Sequence, residues 1–319
     1  MKVLITGATG LIGRELVSQC HRKGYSVNYL TTRKEKIVSE PDYEGFYWNP
    51  NFNEIDTDCF TGVSVLINLA GASISKRWTS SYKREILESR INSLRTLNHA
   101  ISKLPSHKIK SFISASAIGI YPNSTTNYYS ENNKEVDNSF LGEVVQAWEK
   151  EIDTFENLEL NVSKVRVGLV MSNKGGALPE MAKPIKYYLG AAFGSGEQWQ
   201  SWIHISDLAR IFLFIATNGL KGVYNGVGPN PITNNKLVKE IAKVLDRPLL
   251  LPNIPSFAMK IILGEMAYLL FASQRVSSKK IEEEGFIFNF QNICGALVSI
   301  YERENNCSKI TSDFNKEYI

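Results

Sequence analysis

The chain predicts an α/β fold, a doubly wound parallel sheet with a smaller carboxyl-terminal lobe, and three observations carry this. The apolar run Val3-Leu4-Ile5 passes through a glycine turn into a helix-like stretch. Strand-like and helix-like segments then alternate over the first half, which feeds parallel strands into one sheet with helices on both faces. After Val170 the rhythm changes, as Gly175-Gly176, Pro179, Pro184 and Gly190 to Gly196 break the chain into short pieces. With 319 residues and 43% hydrophobic content, the chain can bury a full core.

The first strand is expected near Val3 to Thr6, followed by Gly7-Ala8-Thr9-Gly10-Leu11-Ile12-Gly13 and a helix over Leu11 to Lys23. Gly7 allows the tight turn, Gly10 lets backbone N–H groups approach a pyrophosphate, and Gly13 lets the helix pack closely on its strand. The unpaired N–H groups at the helix start then face an anion. An ordinary strand-to-helix turn is the alternative, but the strand-turn-helix context favours a dinucleotide held by Gly7, Thr9, Gly10, Leu11, Ile12 and Gly13.

The second strand, Ser26 to Thr31, runs into Thr31-Thr32-Arg33-Lys34. A site for NAD usually places Asp or Glu here to hold the ribose 2′-hydroxyl. Arg33 instead can pair bidentately with a 2′-phosphate and Lys34 can add charge, which favours NADP(H). The alternative is a solvated basic turn, since Glu35 sits in the same cluster. A strand over Ser64 to Asn68 leads to Leu69-Ala70-Gly71, small enough for backbone to lie against adenosine and pyrophosphate.

Further elements follow: helices over Tyr82 to Lys103 and Ser139 to Phe155, strands over Ser111 to Ser114 and Asn161 to Val167, and a polar, exposed loop from Pro122 to Asp137. Residues 1–170 form the dinucleotide-binding domain. Residues 204–233 return to it through a helix at Asp207 to Thr217 and a strand at Gly222 to Asn225. Residues 171–203 and 234–319 form the substrate-binding lobe, with a helix at Asn234 to Leu245. Phe257 to Ala272, the most apolar long stretch, is expected as a buried or pocket-covering helix. Lys260, Gly264 and Glu265 interrupt it, so it falls short of a membrane span.

The net charge of +4 comes from 36 basic and 32 acidic residues mixed along the chain. No basic block points to nucleic acid. Cys20, Cys59, Cys294 and Cys307 are scattered without a C-x-x-C pair, and the four histidines are dispersed, so neither a disulfide framework nor a metal site is expected. A cytoplasmic location, no membrane partner and a small-molecule substrate fit best. The two long helices leave a homodimer open.

Leu69-Ala70-Gly71 with the first glycine motif resembles an extended short-chain dehydrogenase/reductase. Arg77-Trp78, Ser89-Arg90-Ile91, Ser114-Ala115-Ser116-Ala117, Trp148-Glu149, Val165-Arg166-Val167-Gly168, Trp202-Ile203-His204-Ile205-Ser206-Asp207 and Gly285-Phe286 narrow this. Together they resemble the atypical, epimerase-like subfamily, often labelled sugar-nucleotide epimerase or cell-division inhibitor. The resemblance covers nearly the whole chain. It implies a Rossmann-like fold, an NADP site with Arg90 and Gly168 among its candidate residues, and a poorly defined reaction of oxidoreductase or epimerase-like type, against which the empty Tyr and Lys positions set a catalytically silent NADP(H)-binding regulatory or scaffold protein.

The family's usual chemistry needs a Tyr that exchanges a proton as hydride moves, and a Lys four residues on. None of the 14 tyrosines has Lys at that spacing. The two plausible registers on the Ser139 to Phe155 helix place Val145 and Glu149, or Leu141 and Val145, at those positions. Four substitutes remain. Ser116 could bond a substrate oxygen or satisfy local backbone. His204 could donate a proton or serve as a hydrogen-bonded structural residue. Tyr121 could face the pocket or pack against the following loop. Glu149 could act as acid or base if buried, or form a helix-surface ion pair. Arg77 and Trp78 could wall a site for an anionic or aromatic substrate, or be loop packing beside a solvated Arg. Arg90 stands where extended relatives often carry an Asn near the nicotinamide, and could contact cofactor or substrate or be a plain helix-face charge.

Overall fold

The structure, a computed structural model, describes residues 1–302. The remainder of the expected lobe, with Cys307, lies outside the described residues. Seven parallel strands make the sheet: β1 (Lys2–Thr6), β2 (Ser26–Thr31), β3 (Tyr43–Asn49), β4 (Val65–Asn68), β5 (Ser111–Ala117), β6 (Asn161–Val167) and β7 (Gly222–Gly226). Their spatial order is β7-β6-β5-β4-β1-β2-β3, and two short antiparallel pieces, Ser39–Glu40 and Glu54–Ile55, pair with β3. The order reverses between β1 and β4. That reversal opens a crevice at the carboxyl ends of the strands, where ligands bind in such sheets.

Eight main helices flank or extend the sheet: α1 (Leu11–Arg22), α2 (Ser80–Ser102), α3 (Phe140–Asp153), α4 (Ala177–Lys186), α5 (Ile205–Asn218), α6 (Asn234–Val244), α7 (Ser256–Leu263) and α8 (Ile293–Glu302). Helix α1 packs beside α5 and α2 beside α3. Right-handed crossovers put these two pairs on opposite faces, because the chain leaves β1 in one direction and β4 in the other. Side-chain oxygens of Thr79, Ser139 and Thr233 cap α2, α3 and α6, satisfying N–H groups that would otherwise be orphaned.

The central core is built from fully buried Val3, Leu4 and Ile5 of β1, Leu66 and Ile67 of β4, Phe112 and Ile113 of β5, and the inner faces of the flanking helices. A second cluster joins α4, α6 and α8 through Leu178, Ile185, Leu237, Ile241 and Leu297, with Trp202 against it. Asp207 at the start of α5 accepts bonds from the backbone N–H groups of Asn289 and Phe290, tying the lobe's last segment to the sheet. Among the described residues no helix is long and apolar enough to cross a membrane.

Four local expectations change. Strand β3 has no counterpart in the sequence reading. Its Gly45 admits the Tyr29 ring, which a Cβ would meet at 2.5 Å, and Tyr29 stacks on Tyr43 at 4.5 Å. The stretch after Gly176 forms α4 despite two prolines, one of them within the first turn, where a missing N–H costs nothing. The Pro122 to Asp137 segment is not wholly exposed: Tyr128–Tyr129 pairs with Arg275–Val276, and buried Tyr129 stacks on Tyr121 at 5.2 Å. The Phe257 to Ala272 stretch is not one buried helix, although residues along it line a cavity, as the pocket-covering alternative expects. Gly264, at φ +61°, ends α7, and Phe257, Ile261 and Ile262 on its outer face are 66%, 75% and 65% exposed.

Candidate functional site

At the end of β1 the chain turns through Gly7, whose φ of +68° suits glycine. A Cβ there would lie 2.9 Å from the Leu69 carbonyl oxygen. At Gly13 a Cβ would lie 2.2 Å from the Gly7 carbonyl oxygen, so this glycine sets the approach of α1 to the turn. Gly10 is the helix N-cap with no side chain over it, and no acidic residue occupies the first turn of α1. The N–H groups of Leu11 and Ile12 have no intrahelical acceptor, which leaves them with the positive end of the helix dipole toward an anion. Thr9 and Gly10 are exposed at the rim, and Leu11 lies under the Gly175-Gly176 turn.

A buried polar stitch fixes the neighbouring strand ends. Thr6 donates to Asn68 Oδ1 at 2.6 Å and accepts from the N–H groups of Leu69 and Ala70, while Asn68 donates to Ser114 Oγ at 3.0 Å. The Leu69-Ala70-Gly71 backbone is thereby held beside the glycine turn. Arg90, from α2, lies under this loop: a Cβ at Gly71 would be 3.2 Å from its Cζ. It donates to the carbonyls of Ile86 and Ala72, and its guanidinium sits 4.9 Å from the Trp148 ring. Burial lowers its pKa to about 10. Arg33 and Lys34 project from the end of β2 and are exposed, with Lys34 over the Tyr47 ring at 4.8 Å. Gly168 sits at the turn after β6, where a Cβ would be 2.3 Å from the Ser201 carbonyl oxygen.

Three of the four candidate proton-handling residues meet in one buried network, built around Arg166, which enters the sequence reading only inside a family motif and with no role. Arg166 on β6 binds Glu149 with two hydrogen bonds, 2.8 and 2.9 Å, and donates to the Tyr121 hydroxyl at 2.9 Å. Ser116 donates to Glu149 at 2.6 Å, and Tyr121 donates to Asn225 Oδ1 at 2.8 Å. Burial alone would raise the Glu149 pKa, but the bonds and charge of Arg166, with Ser116, outweigh it and hold the carboxyl below the usual range. Tyr121 is pushed up by burial despite the nearby Arg166. Glu131 accepts from the Asn225 N–H and is likewise raised by burial. His204 stands apart from this network. It caps α5 by accepting from Ser206 N–H, contacts Ser299 Oγ at 3.3 Å and packs on Phe290 with ring centroids 4.0 Å apart.

Beyond the carboxyl ends of β4 and β5, a cavity of about 720 Å³ lies between the amino-terminal ends of α2 and α3 and the Ser256 to Phe271 segment. Its walls include Trp78, Phe140, Tyr268 and Phe271, with Lys260 and Glu265 also lining it. Such a volume suits a small molecule. Trp78 spends its indole N–H on the Ile74 carbonyl and meets Phe140 edge-on at 5.3 Å. Tyr268 donates to Asp137 at 2.6 Å; burial and this bond raise its pKa. Glu265 is ion-paired with Lys83. Lys260 and Tyr268 reach this site from the Phe257 to Ala272 stretch, which the sequence marks as buried or pocket-covering without singling out Tyr268.

Residues 3–226 match the NAD dependent epimerase/dehydratase family, and residues 254–300 match a domain of unknown function, DUF1731. The chain is 36% identical over 293 residues to epimerase family protein SH2119 of Staphylococcus haemolyticus, covering 91% of this chain and 95% of that protein. It is 36% identical over 295 residues to epimerase family protein SA0724 of Staphylococcus aureus, covering 92% and 97%. The crystal structure of human epimerase family protein SDR39U1 with NADPH superposes with a TM-score of 0.81 at 27% identity, covering 95% of this chain and 99% of that one. A nucleoside-diphosphate sugar epimerase from Corynebacterium glutamicum gives 0.74 at 28% identity, over 93% of this chain and 57% of that one. With its parallel sheet, glycine turn and carboxyl-terminal lobe, the chain belongs to the NAD-dependent epimerase/dehydratase family, the extended short-chain dehydrogenase/reductases.

Proposed function

We propose that the protein is an NADP(H)-dependent oxidoreductase or epimerase-like enzyme whose small-molecule substrate occupies the cavity beside Trp78. The observation that carries this reading is the cradle at Gly7, Gly10 and Gly13, where added Cβ atoms would fall 2.9, 3.1 and 2.2 Å from backbone oxygens and an uncapped helix start faces outward. Gly7, Thr9, Gly10, Leu11, Ile12 and Gly13 would hold the pyrophosphate, and Arg33 with Lys34 the 2′-phosphate. Leu69, Ala70, Gly71, Arg90 and Gly168 would form the rest of the cofactor bed. When bound, NADP(H) supplies or accepts a hydride. That the similar human protein carries NADPH supports the choice of cofactor.

The chain's own residues then bind, orient and shield. The Thr6–Asn68–Ser114 stitch keeps the cofactor bed rigid. Aromatic rings wall the substrate side. With Ser116, Tyr121 and Glu149 bonded together through Arg166, and His204 capping α5, we assign the proton to water entering at the exposed Ser256 and Lys260 edge of the cavity. The same saturated network favours a second reading, an NADP(H)-binding scaffold without turnover. Isotope transfer in both directions separates the two: from 4-deuterated NADPH to a panel of carbonyl compounds, and from carbinol-deuterated alcohols and sugar nucleotides to NADP+. The enzyme reading requires deuterium in a reduced product or in the NADPH formed, and cofactor binding with no transfer in either direction contradicts it.

A further inference from the structure

We infer that the cavity takes a molecule with a flat apolar body and a single anionic group, such as an aromatic carboxylate, in preference to a nucleoside-diphosphate sugar. This rests on the reading of that cavity as the substrate site. Four aromatic residues, Trp78, Phe140, Tyr268 and Phe271, contribute to the lining. Their polar atoms are already engaged: the Trp78 N–H bonds Ile74, and the Tyr268 hydroxyl bonds Asp137. The Ser139 hydroxyl is also committed to Asp137. A sugar nucleotide would bring several hydroxyls and a base edge against these rings, where Ser195 and Ser256 are the remaining hydroxyls of the lining, and polar groups left without a partner weaken binding. A planar apolar body loses nothing against these rings and gains their stacking.

Charge at the cavity edge supplies the second half of the argument. Glu265 is matched by Lys83, whose ammonium lies 5.1 Å from the Phe140 ring centroid. Lys260 lines the cavity, and Arg77 lies beside its wall, with Nε 3.8 Å from where a Cβ on Gly264 would be. Both are exposed, and neither forms an ion pair among the described residues. The geometry therefore pairs an aromatic slot with two uncommitted cations on one rim, the complement of a carboxylate at the end of a flat ring.

Calorimetry on the NADPH-saturated protein tests this with cinnamate, its neutral amide and UDP-glucose as probes. Cinnamate should bind at least tenfold more tightly than either. In the Arg77→Gln/Lys260→Gln double variant, which changes exposed side chains, cinnamate affinity should fall about tenfold and NADPH affinity should hold. Phe271→Ala should weaken cinnamate and the amide alike. Equal or tighter binding of UDP-glucose, equal binding of the amide, no cinnamate binding at millimolar concentration, or an indifferent double variant would each overturn the inference. Cinnamate binding without hydride exchange to any carbonyl would sink the oxidoreductase reading and leave this one standing, while exchange with a sugar nucleotide bound in the cavity would do the reverse.

Discussion

Gly7 leaves no room for a methyl group: its φ is +68° and the Leu69 carbonyl lies 2.9 Å from where a Cβ would go. Gly7→Ala should cost about 1–3 kcal/mol in strain, read as a lower urea midpoint, and should also weaken NADPH binding. The buried pair makes a different prediction. Removing one partner of such a pair costs about 3–5 kcal/mol, so Glu149→Gln should destabilise the protein by that amount at pH 7. Because the Glu149 pKa is depressed on folding, its contribution is present above the unfolded value of about 4.3 and is lost as pH falls through the folded value. The variant should therefore lose less stability on acidification than the wild type, measured by denaturation from pH 7 down to about pH 2. A parallel pH dependence would contradict this. The glycine turn was legible because its residues are contiguous. The Arg166 network was not, since Glu149 and Tyr121 lie 17 and 45 residues away and only the packing of β6 against α3 and β5 unites them.

Helix α7 shows how hydrophobicity misleads at the scale of an element. Its apolar sequence predicts a buried or pocket-covering helix; the helix has no buried residue, with Ile261 75% exposed, and the segment lines the cavity instead. Ile261→Glu should change stability by no more than about 0.5 kcal/mol, whereas Leu297→Ala in α8, fully buried against α6, should cost about 2–5 kcal/mol. Chemical denaturation of the two variants checks both. Elements with clean patterns and flanking signals, such as β1, α1, β2 and α3, were readable to within a few residues. Strand β3 was not, because its fit depends on the Tyr29 ring filling the space above Gly45, a contact from another strand.

The whole molecule sets a glycine turn at the carboxyl ends of its central parallel strands and an aromatic cavity walled by the starts of α2 and α3 and the Ser256 to Phe271 segment. The turn was legible in the sequence because a phosphate cradle is written in contiguous glycines and local charge. The cavity was not, because its walls come from the ends of α2 and α3 and from a segment more than a hundred residues later. A ligand specific to the folded state stabilises it by mass action, about 2.7 kcal/mol at a hundredfold excess over Kd. Saturating NADPH should accordingly raise the melting temperature of the intact chain. The most direct measurement compares NADPH and NADH affinities in the wild type and in Arg33→Ala. Loss of one charge-assisted contact is worth about 1.5–3 kcal/mol, so the wild type should prefer NADPH by at least tenfold, and Arg33→Ala should erase most of that preference while leaving NADH affinity unchanged. Equal affinities for the two nucleotides in the wild type would contradict the account.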